Sequence, residues 1–553
     1  MKEMLQEYGR IIVSAIIIFI MIGLTVFFKG DYFINALSKL GVNTISYTLN
    51  GGTLPDDAVI SYREYDEVVL PIPTNTKGTF EGWYETPDFT GEPVIKIEKG
   101  STGDKTYYAK WNSESYAAVY GGTQLIFGIG AVPETYNGLE LTKSWTGIET
   151  LKASSADAIP WKSYRKAITD VVVIDEIQPM NTAHWFYNFK NCSSMDLAKL
   201  DTSKVTNMSA MFYYAGYSTS AFDLIGVDNW DVSSVTTMYS MFSNAGFSAT
   251  TFGLDLSGWK PSSCTTMENM FYRTGYKATT WSITGMDDWD VSSVTNMSMM
   301  FEDAGYSATT FALDLSGWNT SSVTNMNNVF KNTGYNSKNW TVGNLSGWDV
   351  SSVTTMYSMF SSAGFSATTF SLDLSGWKPS SCTTMNNMFY RTGSKATTWS
   401  ITGMDDWDVS SVRNMSNMFN AAGYRATTFV LDLSGWNTSS VTNMGGMFAS
   451  AGGCAKKWSI IGLDDWDVSS VTNMSQMFYS YEGRRAAKNW SIGDISGWDT
   501  SNVTNMWEMF RYAATGSTVL NLDLTGWNVD KVTSYANFNE AMTTKIKAPV
   551  WVN

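Results

Sequence analysis

One stretch is rewritten along most of the chain, and its clearest copy is WDVSSVTNMSMMF, from Trp289 to Phe301. Close copies start at Trp230, Trp348, Trp407, Trp436, Trp466 and Trp498, and looser ones at Trp259, Trp318, Trp377 and Trp527. Each Trp follows the last by 29 or 30 residues, as Trp289 leads to Trp318 and Trp318 to Trp348, with one step of 32 from Trp466 to Trp498. A fixed period of this size marks a repeat array, in which each repeat buries its apolar face against its neighbours. Such an array grows by addition, so the 553 residues need not divide into several globular domains.

Within one coil, Val294, Met297, Met300 and Phe301 recur at helical spacing. This predicts a helix of about two turns, capped by Thr295 or Asn296 and stopped by a left-handed Gly305. The next segment, FALDLSGW from Phe311 to Trp318, alternates apolar and polar residues and predicts a strand with one buried face. Stacked in register, the coils are expected to form an α/β repeat solenoid, with a short helix and a parallel strand from each coil and Met and aromatic side chains between them. Coils alternate between the FxLDLSGW form and the one-residue-longer WSITGMDDW form, and Trp230–Met297 recurs nearly verbatim as Trp348–Met415. The Asn or Thr before the first Met, as at Asn296, Asn325, Thr355 and Thr384, is expected to satisfy backbone groups or to bond along the stack.

Ahead of the array, residues 11–28 read IIVSAIIIFIMIGLTVFF without a charge. As a helix this segment is about 27 Å long, close to a bilayer's hydrocarbon thickness. With no A-x-A-like site before Lys29 and Gly30, it is read as an uncleaved anchor in preference to a removed signal peptide or a buried helix. The expected placement is therefore single-pass in the cell membrane, amino terminus inside and repeats outside. After a spacer, residues 31–43, the alternation around Asn50-Gly51-Gly52 predicts a small β-rich module over residues 44–112. Residues 113–180 are assigned to an amino-terminal cap, 181–541 to the array and 542–553 to a closing strand.

Two resemblances attach to these residues. The order YTLNGGT, GTFEGWYETPDFTGEPV and YYAKW in residues 44–112 resembles the internalin-type B repeat of the Listeria–Bacteroides repeat family, which implies a β-grasp-like, non-catalytic module. The recurring VSSVTNMSxMF, the Gly after it and LDLSGW, with DTSKVTNMSAMF from Asp201 as an early copy, are similar to the BspA-like surface-protein repeats, a leucine-rich-repeat-like family. The second resemblance implies adhesion. The present coils carry an additional GYSATTF-type insert.

The net charge of −14 argues against nucleic acid, which needs a basic stripe to displace phosphate counterions. Cys192, Cys264, Cys382 and Cys454 lack metal or redox spacing and read as isolated thiols. The lone His184 has no partner pattern for catalysis, and repeated carboxylates make poor catalysts because every coil offers the same environment. The acidic turns around Asp287, Asp288, Asp290, Asp405, Asp406 and Asp408 could attract Ca²⁺, but carboxylates on a turn are commonly just solvated, so no metal or other cofactor is assigned. The outward strand column, Asp255, Thr284, Asp314, Asp373, Thr402, Asp432 and Asp523, is the candidate partner-binding face. The sequence thus points to a non-enzymatic, membrane-tethered bacterial surface adhesin for an extracellular protein or glycan. The alternative is a structural spacer or filament component without its own ligand.

Overall fold

The computed structural model describes residues 41–75, 78–481 and 487–551. They fall into two units: the first runs to Glu114 and takes in Ile129–Ala131, and the second comprises Ser115–Gly128 and the chain from Val132.

The first unit is a mixed sheet. Strand Val42–Thr48 pairs antiparallel with Ser61–Arg63 and parallel with Lys105–Asn112, which in turn pairs antiparallel with Thr79–Tyr84. Ile45, Tyr62, Trp83 and Tyr107 form its core, and the Trp83 indole donates to the Pro71 carbonyl at 2.8 Å, so the buried ring keeps no idle donor. No helix packs on this sheet among the described residues, so the β-grasp-like form implied by the resemblance is not confirmed.

The second unit opens with an antiparallel pair, Ser115–Tyr120 with Leu139–Thr146. A parallel ladder then begins: Gln124–Ile129, Asp170–Val173, Ser194–Asp196 and Asp223–Ile225 are neighbours in that order. From there each coil joins the next in parallel register at the residue before its first Met, Asn207 to Thr237 to Thr266 to Asn296 and onward to Ser534. The strands after the insert first pair by twos, Thr251–Asp255 with Thr280–Thr284 and Thr369–Asp373 with Thr398–Thr402, and then join three together, Thr428–Asp432, Lys457–Ile461 and Asn489–Ser491. In Thr251–Asp255, Phe252 and Leu254 are buried and the residues between them exposed, as a two-residue period requires.

The helix expected in every coil does not form. The described residues contain no α-helix, and their only helical turns are 3-10 segments of three residues, such as Val227–Asn229. Val294, Met297, Met300 and Phe301 are buried, but on the inside of an arc of successive turns. The N–H groups of Met300, Glu302 and Ala304 donate within the coil to Met297, Met299 and Phe301. Those of Met297, Met299, Phe301 and Asp303 donate to the following coil, at Asn325, Asn327, Val329 and Lys331. To send alternate N–H groups along the stack, the backbone turns left-handed at Met299 (φ 56°) and Asp303 (φ 61°), which an α-helix cannot accommodate. Each additional coil thereby satisfies backbone groups that a lone two-turn helix would leave open. The α/β assignment is corrected on this ground to an almost entirely β and turn architecture.

The expected anchor, residues 11–28, lies outside the described residues. Among the described residues no helix is long and apolar enough to cross a membrane. The single-pass membrane placement inferred from sequence is accordingly withdrawn.

Stacked rings fill the core. Phe242, Phe271, Phe301 and Phe330 form one row, with centroids 5.3–5.8 Å apart at each step. Trp259, Trp289, Trp318 and Trp348 form a second, spaced by 5.8, 6.1 and 6.0 Å. The indole of Trp318 donates to the Met286 carbonyl at 2.7 Å and that of Trp348 to Leu315 at 3.0 Å, so each Trp both packs and bonds across coils. Burial raises the thiols of Cys264 to about 11 and of Cys382 to about 12, and each donates to a carbonyl two residues on. These cysteines are inert core residues.

Candidate functional site

All seven residues of the predicted strand column are exposed. The structure sets Asp255 opposite Thr284 and Asp373 opposite Thr402, whereas Asp432 lies opposite the exposed Ile461 and Asp523 opposite Lys547. Each carboxylate also has a local task. Asp314 Oδ1 accepts from the Ser316 N–H at 3.1 Å and its hydroxyl at 2.6 Å, and Asp432 treats Ser434 in the same way at 3.2 and 2.7 Å. This Asx turn ends the strand and starts the corner that leads to the Trp. Asp523 adds Lys547 at 2.8 Å, and that ammonium together with Thr525 holds its carboxyl down to about 2. The second oxygens of Asp255, Asp314, Asp373 and Asp432 take no partner among the described residues. One oxygen of each is thus structural and the other faces solvent.

The same device recurs at the next corner, where Asp290, Asp349, Asp408 and Asp467 bond the Ser two residues on and are held below the ordinary carboxylate range. Asn296 does likewise for Ser298 at 3.0 Å, and Asn473 bonds Asn443 in the coil before it at 3.0 Å. The two roles foreseen for the repeated Asn therefore coexist. Asp288 and Asp406, in the acidic turns, face Lys260 at 3.5 Å and Lys378 at 3.4 Å. Among the described residues no group of three or more His, Cys, Asp or Glu is arranged to hold a metal ion. His184 has φ 63° and its N–H donates to Ser209, which makes it the Met299 equivalent of an early coil. Burial and the nearby Arg165 lower its pKa.

A further feature went unread in the sequence. In six successive coils the residue after the coil-closing Gly carries an outer row of rings: half-buried Tyr217, Tyr276, Tyr306 and Tyr335 and buried Phe247 and Phe365, stacked in chain order at 4.5, 4.9, 4.6, 4.7 and 4.5 Å. Cations lie over it, with Arg273 4.8 Å from the Tyr276 centroid and Arg391 4.7 Å from that of Phe365. The signal was present in the insert GYSATTF, whose second position is aromatic in each coil from Tyr217 to Phe365.

These features define a protein of stacked β and turn coils, built from repeats around ring ladders, with a polar strand face and an aromatic side face. The chain belongs to the family described as Mycoplasma protein of unknown function, DUF285, which matches residues 180–304, 275–401, 393–492 and 453–551. Residues 44–110 match the Listeria-Bacteroides repeat domain. No curated protein and no solved structure matches the chain.

Proposed function

We propose that the array is a non-catalytic binding scaffold of the BspA-like surface-repeat kind, acting as an adhesin for an extracellular protein or glycan. The observation that carries this reading is the strand column, where an outward carboxylate oxygen or hydroxyl recurs in most coils, broken at Gly343, Ile461 and Gly493, and one oxygen of Asp255, Asp314, Asp373 and Asp432 takes no partner among the described residues. A periodic acceptor surface suits a long partner with repeated donors, because many weak contacts then add. The two repeat families support a surface repeat protein, in keeping with that use.

The test is binding of the full chain to arrays of matrix proteins and glycans, beside a variant with Asp255, Asp314, Asp373 and Asp432 each changed to Asn. Asparagine retains the oxygen that makes the turn, so the coil is preserved while the charge is lost. Binding by the parent and a loss of about tenfold or more in the variant is expected. Equal binding by both sinks the strand-face reading, and no binding by the parent favours a spacer.

A further inference from the structure

The outer ring row is interrupted at Ser394, in the chain's own internal copy, and again at Gly453. Residue 276 of the first copy is Tyr, and the equivalent position of the second, as Trp230 stands to Trp348, is Ser394. Tyr276 stacks on Phe247 at 4.9 Å and on Tyr306 at 4.6 Å. In the second copy the flanking rings persist as Phe365 and Tyr424, with Ser394 between them. Two coil steps of about 4.7 Å separate those positions, which leaves room for one ring. A cleft of about 790 Å³ opens there, lined by Phe365, Tyr390, Arg391, Ser394, Lys395 and Tyr424 among others. That size suits a small organic molecule.

The charges have changed along with the ring. In the first copy Arg273 faces Asp303 at 3.5 Å, and Glu302 pairs with Lys331 at 2.9 Å. Their second-copy equivalents are Asn420 and Ala421 in place of Glu302 and Asp303, and Arg425 in place of Ser307. Arg391 and Lys395 lie over Phe365, at 4.7 and 5.0 Å, and cover the ring where Tyr276 covers Phe247 in the first copy. Neither of these, nor Arg425, has an ion-pair partner among the described residues. In a chain of net charge −14, three cations without counter-carboxylates at a ring-sized gap form a local exception. An arginine there still admits a ring, since Arg273 shares the first-copy position with Tyr276.

We propose that this gap binds a planar aromatic ring carrying an anionic group, the ring taking the place that Tyr276 fills in the first copy and the anion meeting Arg391, Lys395 and Arg425. Stacking on Phe365 and Tyr424 supplies the ring's affinity, and the guanidinium groups choose the charge. This site is independent of the strand face and of the adhesin reading.

The test is calorimetric titration of the full chain with 2-naphthoate, beside 2-naphthylmethylammonium and cyclohexanecarboxylate. Saturable binding of 2-naphthoate is expected, with the cation and the saturated ring each weaker by about tenfold or more. Ser394→Tyr, which rebuilds the first-copy ladder, should abolish it with no loss of thermal stability, and Arg391→Gln should weaken it several-fold. The four-fold Asp→Asn strand variant should bind 2-naphthoate as the parent does, so the two proposals fail separately. Absence of saturable binding, equal binding of the three probes, or affinity unchanged by both Ser394→Tyr and Arg391→Gln overturns the proposal.

Discussion

Met299 sits where a coil's backbone first turns left-handed, a conformation that costs an ordinary L-residue about 1–2 kcal/mol. Its equivalents include Asn269, Asn328, Asn387 and Asn417, whose short polar side chains tolerate that region, and Gly446. A conformational demand of the fold is thus written into many of the residue types, and Met299, like Gln476 and Glu508, meets it without such a side chain. Met299→Asn should raise stability by about 0.5 kcal/mol, part of the conformational gain being offset by lost apolar contact of the half-buried Met. Denaturant midpoints of the variant and parent check this, and a variant less stable than the parent refutes it. Asn at this position was also the readable clue against a helix, because it favours turns over helix interiors.

At the scale of the element, the corner between coils is an Asp-x-Ser turn, and its carboxylate is more acidic in the folded chain than in the unfolded one. Asp290, Asp349, Asp408 and Asp467 lie below the ordinary 3.8 because Ser hydroxyl and N–H groups bond the ionised form. Their support is present above about pH 4 and is lost as the pH falls through the lowered folded values. Glu302 and Asp303 work in the opposite sense. Burial raises them, so their contribution improves as the pH falls from the raised folded values toward the ordinary range. Changing the four corner Asp residues to Asn retains the acceptor oxygen and removes the titration. The variant's urea midpoint should fall less than the parent's between about pH 7 and pH 3, and an identical fall would show that these turns do not set the acid limb. The apolar spacing of Val294, Met297, Met300 and Phe301 was legible as a buried face. Its backbone was not, because an arc of turns around a core buries residues at nearly the interval that a helix does.

Over the whole molecule, the 118-residue copy relating Trp230 to Trp348 supplies a designed control. Removing residues 230–347 joins Asn229 to a coil start of the same sequence, so ring rows and bridges can continue across the junction. Removing 348–465 joins Gly347 to Trp466, again a coil start, and deletes the interrupted ring row with its cations. Both shortened chains should retain the parent's circular dichroism per residue. The first should bind 2-naphthoate as the parent does, and the second should lose that binding. Loss of binding in the first, or retention in the second, would place the ligand elsewhere.

The repeat period, the inward file of Met, Phe and Trp and the alternating strand faces follow from residue order, because periodicity alone dictates which side chains can share a buried side. The backbone path between those side chains was settled by neighbouring coils: an N–H directed to the next rung offers a hydrogen bond that no single repeat can make, and it selected left-handed turns over a helix. The candidate ring gap likewise emerged only when coils were superposed, since Ser394 becomes informative once Phe365 and Tyr424 are seen on either side of it.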